Sequence, residues 1–292
     1  MKICTQTSNV FERIDTETAI RWFAEAGFDA LDYSMFFLNS EAFLRSNDDP
    51  MKQAEKVLAL SEQYHIPFHQ AHAPFPSNIP GNADYNGMIV GRIEQSLEIA
   101  GVLGAEHVVV HPFKESAGES AKDANLRFYN SLAETAQKSH VRVALENIWD
   151  WDAGANRIIP FGCSRAENLA DLYDALDPAV FTGCLDVGHC GLYGESAAEA
   201  IRTLGHDRLG ALHVHDNDGK SDRHTLPYSV GCTIDWNAVT DALGAIDYAG
   251  DFTLEADCFL AHEPPETLPA TLRYMAEISR ILADRADAAR KN

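Results

Sequence analysis

The sequence has few basic residues and no cluster of them. Lys and Arg number 23 against 44 Asp and Glu, which gives a formal net charge of −21 at pH 7. A polyanion would therefore meet net repulsion at the surface of this protein. The composition argues against nucleic acid as a partner and against attachment to an anionic membrane.

Cysteines are also few, and no two of them form a Cys-x-x-Cys pair. The 6 cysteines are scattered along the chain, which fits neither a disulfide framework nor a zinc site built from thiolates. The first residues contain no apolar stretch typical of a signal peptide, and no run approaches the roughly 18 apolar residues of a membrane span. These absences predict reduced thiols and a cytoplasmic protein.

Short apolar or β-branched runs alternate with longer amphipathic segments along all 292 residues. This alternation is typical of repeated βα units. Eight candidate strands fall at residues 2–5, 29–33, 67–71, 107–111, 142–146, 181–186, 211–215 and 252–255. They predict a closed (β/α)8 barrel, the TIM-barrel architecture of the α/β class, as a single domain over residues 1–292, with a disordered tail from about residue 286. An open doubly wound sheet is the alternative, but no Gly-x-Gly-x-x-Gly follows the first strand to support a dinucleotide site.

Most of the predicted strands end in an imidazole or a carboxylate. From the third strand onward these strand-end residues are His72, His111, Glu146, Asp186 with the nearby His189, His215 and Glu255. The carboxyl ends of barrel strands converge on one mouth, where active sites of this fold lie. A single strand-end His such as His72 is more often a hydrogen-bonded loop anchor, so the prediction of a site depends on the coincidence of many such residues.

Imidazole and carboxylate ligands suit divalent cations such as Mn²⁺, Zn²⁺, Co²⁺ or Fe²⁺, and apposed carboxylates resist ionising together without a cation. The sequence therefore predicts a metal site at Glu146, Asp186, His215 and Glu255. Asp222 and His224, in the loop after the seventh strand, are candidate additional ligands. His213 lies two residues before His215 and faces the same way, so we interpret it as substrate-facing or as a support for the ligands.

Several segments together resemble the xylose isomerase-like TIM-barrel superfamily over essentially the whole chain. They are ALEN at 144–147, LDVGH at 185–189, HVHDND at 213–218, the stretch that begins with Asp222, and LEAD from Leu254. The superfamily includes sugar and sugar-phosphate isomerases and epimerases, inosose enzymes and endonuclease IV. Its tagatose/psicose 3-epimerase branch holds one metal on residues that match Glu146, Asp186, His215 and Glu255, and binds substrate through a residue that matches His189.

This resemblance implies an isomerase or epimerase of a ketose, a keto-inositol or a sugar phosphate that uses one divalent metal, Mn, Co, Mg or Zn. The metal would stabilise an enediolate, and Glu146 and Glu255 would act as acid and base, with the direction of proton transfer left open. His189 would orient a substrate oxygen. Asp152 stands where the branch has a substrate-binding Glu, and Ser221 stands where it has an Arg, which leaves Arg223 as a nearby replacement. The predicted substrate contacts are His72, His111, Asp152, His213 and Arg223, and a homodimer is expected by analogy alone.

Endonuclease IV offers a second interpretation, because its three-zinc cluster uses nine ligands of matching type. These ligands fall on His72, His111, Glu146, Asp186, His189, His215, Asp222, His224 and Glu255. The implied activity is a phosphodiesterase on abasic DNA with a cluster of two or three zinc ions. The net charge of −21 and the sequence IWDWD after Glu146 argue against it. A barrel that has lost turnover and serves as a binding module is a third hypothesis, which the complete set of acids disfavours.

Overall fold

Eight parallel strands form the centre of the fold. The structure, a computed structural model, describes residues 1–40, 43, 49–116 and 118–290. Its strands are β1 Ile3–Gln6, β2 Ala30–Ser34, β3 Phe68–His72, β4 His107–Val110, β5 Arg142–Glu146, β6 Trp149–Asp152, β7 Arg157–Pro160, β8 Phe181–Asp186, β9 Leu209–His213 and β10 Phe252–Leu254. The sheet order is β10-β1-β2-β3-β4-β5-β8-β9, and a parallel bridge between Val214 and Leu254 joins the two ends. The predicted (β/α)8 barrel is confirmed.

Helices follow the barrel strands, and local signals set their ends. They are α1 Ser8–Phe11, α2 Thr16–Ala26, α3 Pro50–Tyr64, α4 Ala83–Leu103, α5 Ala121–Ser139, α6 Ala166–Tyr173, α7 Val187–Leu192, α8 Ala197–Arg208, α9 Trp236–Ala245 and α10 Leu268–Ala288. In α2 the side chain of Asp15 accepts a hydrogen bond from the backbone N–H of Thr18, and Gly27 ends the helix with φ 95°. A carboxylate at the first position and a left-handed glycine at the last are common helix caps.

The last helix corrects one expectation from the sequence. A disordered tail was expected from about residue 286, but α10 continues to Ala288 and the side chain of Ala286 is buried. An apolar stripe that packs on the barrel keeps this end of the chain helical. Residues 291–292 lie outside the described part of the chain.

The barrel interior changes from apolar to polar toward the mouth. Val109, Ala144, Cys184 and Ala211 form a small buried cluster contributed by β4, β5, β8 and β9. Side chains two residues apart on a strand face the same way, so the residues that follow these four by two positions also face inward, one layer nearer the mouth. That layer contains His111, Glu146, Asp186 and His213. The polar site therefore lies directly on an apolar base.

Two short strands lie outside the barrel. β6 and β7 pair antiparallel from Trp149 opposite Pro160 to Asp152 opposite Arg157, and form a hairpin after β5. The sequence did not predict this hairpin. All 6 cysteines are free. Within the described residues, no helix combines the length and the apolar character that a membrane span requires.

Candidate active site

Two glutamates and a histidine form the centre of the barrel mouth. The Nδ1 atom of His213 lies 3.0 Å from Oε1 of Glu146 and 2.9 Å from Oε2 of Glu255. Both carboxylates thus converge on one imidazole nitrogen. Asp186 completes this central group, in which one ligand atom from each of the four residues lies within 4.8 Å of the others. All four side chains are buried.

A second group of ligand atoms lies on one side of Glu146. Its Oε2 atom is 3.0 Å from Nε2 of His111 and 3.6 Å from Nε2 of His72. The ring of His72 is oriented by its Nδ1 atom, which lies 2.7 Å from the carbonyl oxygen of Ala73. We call His72, His111 and Glu146 the first flanking group. It shares Glu146 with the central group.

The second flanking group consists of His189, His215, Asp222 and His224. Oδ2 of Asp222 is 3.3 Å from Nε2 of His189 and 3.2 Å from Nε2 of His224. Nε2 of His215 is 3.0 Å from Oδ1 of Asp186 and 3.6 Å from Oδ1 of Asp222. His215 therefore connects Asp186 of the central group with the second flanking group.

The LDVGH segment shapes the site through its turn from strand to helix. Asp186 caps the start of α7, because its Oδ1 atom accepts a hydrogen bond of 2.8 Å from the backbone N–H of His189 in the first turn of that helix. The side chain of Asn147 accepts a hydrogen bond from the backbone N–H of Asp186 and donates one to its carbonyl oxygen. A Cβ atom at Gly188 would overlap the ring of His215. Glycine is thus required here by close packing.

Charges within the cluster shift several pKa values. Burial alone would raise the pKa of Glu146, but His213 and His111 outweigh it and hold the pKa well below its usual range. Burial opposes the charged form of His189, yet Asp186 and Asp222 raise its pKa to about 10. The pKa of Asp222 is lowered against the effect of burial, because His189 and His224 donate to its carboxylate. Glu146 and Asp222 are therefore ionised at neutral pH.

Several buried oxygens in the cluster lack a hydrogen-bond partner. They are Oε2 of Glu146, Oε2 of Glu255 and Oδ1 of Asp222, although imidazole nitrogens lie within 4.0 Å of each. A buried carboxylate oxygen that is left without a partner costs free energy. Oxygen and imidazole nitrogen are also the donors that divalent transition metals prefer. The residues present fit a divalent cation.

A cavity of about 540 Å³ opens above the cluster. Its walls include the aromatic rings of Phe36, Phe75, Trp149 and Phe161. Lys114 is the one Lys or Arg among the described lining residues, and its Nζ atom lies 2.6 Å from Oδ1 of Asp150. The ammonium group is thus already paired. The cavity suits an uncharged ligand with polar groups at its base and apolar faces at its sides.

Seven of the residues selected from the sequence line this cavity, namely His72, His111, Glu146, His189, Asp222, His224 and Glu255. Asp186 and His215 are fully buried within the cluster and do not line it.

Three predicted substrate contacts lie elsewhere. His213 is fully buried beneath the two glutamates and does not line the cavity, because its ring fills the space between their carboxylates. Asp152 accepts hydrogen bonds from the backbone N–H groups of the hairpin turn. Arg223 is exposed and pairs with Asp218 at 2.9 Å. Each of these three side chains therefore contacts a neighbouring group of the protein and lies outside the lining of the cavity.

Sequence reasoning missed two site residues on the first two strands. The side chain of Gln6 donates a hydrogen bond to Oε1 of Glu255. Asp32 is fully buried, accepts a hydrogen bond of 2.7 Å from Gln70, and lies 3.7 Å from Nε2 of His213. Gln6 ends β1 but carries an amide, and Asp32 is a carboxylate in the middle of β2, so the search for imidazoles and carboxylates at strand ends could not have found either residue.

The closed barrel and the imidazole and carboxylate groups at its mouth define a class of (β/α)8 proteins with a polar site at the carboxyl ends of the strands. A family model described as the xylose isomerase-like TIM barrel matches residues 20–278. The chain belongs to that family. The resemblance found in the sequence is thereby confirmed.

Relatives and solved structures give the same picture of the fold. An uncharacterized protein of Mycobacterium leprae is 25% identical over 271 residues, which cover 87% of this chain and 88% of the relative. The crystal structure of a D-tagatose 3-epimerase-like protein matches with a TM-score of 0.71 and 21% identity, and covers 97% of this chain and 98% of its own. The zinc-binding IOLI protein matches with a TM-score of 0.70 and 16% identity over 100% of both chains. At these identities the solved structures establish a shared fold.

Proposed function

We propose that this protein is a divalent-metal-dependent isomerase or epimerase of a sugar or a related cyclic ketone. One observation carries the proposal. Glu146 and Glu255, from opposite sides of the mouth, approach the same nitrogen of His213, and each keeps one buried oxygen without a hydrogen-bond partner at the base of the cavity. Two carboxylates that face one point suit the removal of a proton from a substrate carbon and the return of one.

Glu146, Asp186 and Glu255 of the central group would hold the metal, with His215 as the fourth ligand that the sequence predicts, since its Nε2 atom lies 3.0 Å from Oδ1 of Asp186. When bound, a divalent cation supplies Lewis acidity that stabilises negative charge on a substrate oxygen. The side chains of the protein carry out the proton transfers. One glutamate takes the proton from the carbon next to the carbonyl, and the other returns a proton to the same carbon or to its neighbour.

His189 would orient a substrate oxygen. Its Nδ1 atom lies 2.7 Å from the carbonyl oxygen of Asn147, which fixes the ring, and its Nε2 atom lies on the side of Asp222. The residue lines the cavity. In the presence of substrate, an imidazolium held by Asp186 and Asp222 is a suitable donor to a hydroxyl or carbonyl oxygen.

The proposed substrate is a small, uncharged carbohydrate. The single lining lysine is paired with Asp150, and the aromatic walls suit the apolar faces of a sugar. Solved structures of similar fold include a D-tagatose 3-epimerase-like protein and a 3-keto-D-glucoside 4-epimerase from E. coli, which supports a sugar as ligand. A cytoplasmic location, supported by the free thiols, and a homodimer belong to the same proposal.

The test is proton exchange in heavy water with a panel of ketoses and cyclic ketopolyols. Wild-type protein loaded with Mn²⁺ or Co²⁺ should incorporate deuterium next to the substrate carbonyl. Glu146→Gln and Glu255→Gln should each lose turnover by about a hundredfold or more. Glu134→Gln is the matched control, because Glu134 is exposed and pairs only with Lys138 on its own helix. Near-full activity in either active-site variant would refute the assignment.

A second candidate is a multinuclear phosphodiesterase. The two flanking groups favour it, because His72 with His111, and His189 with Asp222 and His224, offer ligand atoms beyond the central group. Elemental analysis of protein purified without chelator distinguishes the candidates. About one metal per chain supports the isomerase. Two or three zinc ions per chain, together with nicking of an abasic-site oligonucleotide, support the phosphodiesterase instead.

A further inference from the structure

A groove outside the catalytic cavity gathers basic residues of this acidic protein. It has a volume of about 580 Å³ and is lined by parts of the β6–β7 hairpin, the loop at 219–220 and the end of α7. We call it the hairpin groove. Its lining includes Arg157, Arg165 and Lys220, and no Asp or Glu.

This local charge is opposite to that of the whole chain. Acidic residues outnumber basic residues 44 to 23 in the sequence, so an average patch of this protein's surface contains more acids than bases. The described acids in the same loops have other partners: Asp152 caps the hairpin turn, and Asp218 pairs with Arg223. Arg165 interacts electrostatically with the nearby carboxyl of Glu195, whereas Arg157 and Lys220 form no ion pair with an acid that the structure describes.

The three cations of the hairpin groove are available to a ligand. Arg157 and Lys220 are exposed, and their side chains form no ion pair or hydrogen bond with any residue that the structure describes. Arg165 is also exposed, lies over the ring of Tyr193 and donates one hydrogen bond of 3.4 Å to the carbonyl oxygen of that residue. The remaining donors of its guanidinium are free. Two guanidinium groups and one ammonium group match the oxygens of a phosphate.

An exposed aromatic ring lies in the same groove. Trp151 is 48% exposed and lines the hairpin groove, whereas Trp149 on the same strand lines the catalytic cavity. The indole N–H of Trp149 donates to Oδ2 of Asp222, which ties the hairpin to the loop that carries Lys220. The hairpin thus contributes residues to both the groove and the cavity. An indole face beside a cationic groove suits a ring that carries a phosphate.

We propose that the hairpin groove binds the phosphate group of a phosphorylated small molecule. The ligand is either a free phosphate or a phosphate ester whose sugar ring stacks on Trp151. This inference does not depend on the proposed isomerase activity, because the groove binds its ligand without the metal and without turnover.

The experiment is calorimetric titration of the full, chelator-treated chain at low ionic strength with three probes. The probes are inorganic phosphate, a hexose 6-phosphate and the unphosphorylated hexose. Both phosphate probes should bind, and the hexose should not bind to the groove. Stronger binding of the ester, with quenching of fluorescence that disappears in Trp151→Phe, identifies a phosphorylated sugar as the ligand. Equal binding of both phosphate probes identifies the phosphate group alone.

The double variant Arg157→Gln/Lys220→Gln should weaken phosphate binding by about tenfold or more. Lys138→Gln/Arg202→Gln is the matched control, since it removes the same charge from two residues that form ion pairs within their own helices. Unchanged binding in the groove variant, or no binding by the wild-type protein, would overturn the proposal. Binding of an oligonucleotide much tighter than that of either phosphate probe would also overturn it, in favour of a nucleic-acid surface.

Discussion

Replacing His213 tests whether this residue balances the charge of the two glutamates beneath the cavity. Burial opposes the charged form of His213, yet Glu255 and Glu146 raise its pKa well above its usual value. The ring is therefore the positive partner of both carboxylates, at 2.9 and 3.0 Å. His213→Leu keeps a side chain of similar size but leaves two buried carboxylates opposed to each other.

Removing one partner from a buried ion pair costs about 3–5 kcal/mol. In chelator, His213→Leu should therefore lower the melting temperature by about 6–10 °C, on the basis of about 2 °C for each kcal/mol in a chain of this size. A divalent cation supplies positive charge at the same carboxylates. Saturating Mn²⁺ should consequently stabilise the variant more than it stabilises the wild-type protein.

The assay is thermal unfolding of both proteins in chelator and in Mn²⁺. His262→Leu is the control, because His262 is exposed and should lose little stability in either condition. An equal loss of melting temperature with and without the metal would refute the reasoning, since it would show that His213 contributes packing and no charge balance. A variant as stable as the wild-type protein in chelator would refute it as well.

Two further predictions concern residues next to the site and at the opposite end of the barrel. Gly188→Ala should lower the free energy of unfolding by about 1–3 kcal/mol and weaken metal binding, because the new Cβ overlaps the ring of His215. The control is Gly91→Ala, where an added Cβ meets no atom within 4 Å. Calorimetric titration with Mn²⁺ measures the change in metal binding. Burial lowers the pKa of His107 from 6.5 to about 4. The unfolded chain therefore takes up a proton first as the pH falls, and stability present above pH 6.5 is lost between about pH 6.5 and 4, by about 3 kcal/mol at most. His107→Asn should flatten this part of the curve of unfolding free energy against pH, and an unchanged slope would contradict the assignment.

The barrel could be predicted from the sequence because its signals are local and repeated. Each strand run is followed by a segment with helical spacing, and most observed strands lie within two residues of the predicted ones. The hairpin was missed for the opposite reason. Its strands have four residues each and are exposed or only partly buried, so they lack the apolar alternation that marks a strand in the core.

The same distinction explains which site residues could be predicted. Glu146 and Glu255 end barrel strands, and the geometry of the fold alone brings them to the mouth. Asp152 and Arg223 were selected because they lie at or near loop positions where the 3-epimerase branch binds substrate, and a matching position does not determine which neighbour a loop side chain contacts. Asp152 caps its own turn and Arg223 pairs with Asp218. The sequence could predict that His213 faces the barrel interior, but it could not predict how far below the cavity the ring lies. That depth depends on the carboxylates of Glu146 and Glu255, which lie above the ring.

The hairpin has a further consequence for the choice between the two candidate functions. The isomerase and the phosphodiesterase would both use the carboxylates of the central group. In the phosphodiesterase the two flanking groups would bind metal, whereas in the isomerase they would contact substrate. Asp222 is the acid of the second flanking group, and the indole N–H of Trp149 fixes its Oδ2 atom at 2.9 Å. The same oxygen also faces His189 and His224, which are candidate ligands of the same group, so a metal bound there would compete with the indole N–H of Trp149 for Asp222. Because Trp149 is also a wall of the cavity, a substrate that displaces this ring changes the affinity of the second flanking group for a cation. Binding of such a substrate and occupancy of the second flanking group by a metal would then be coupled through Trp149.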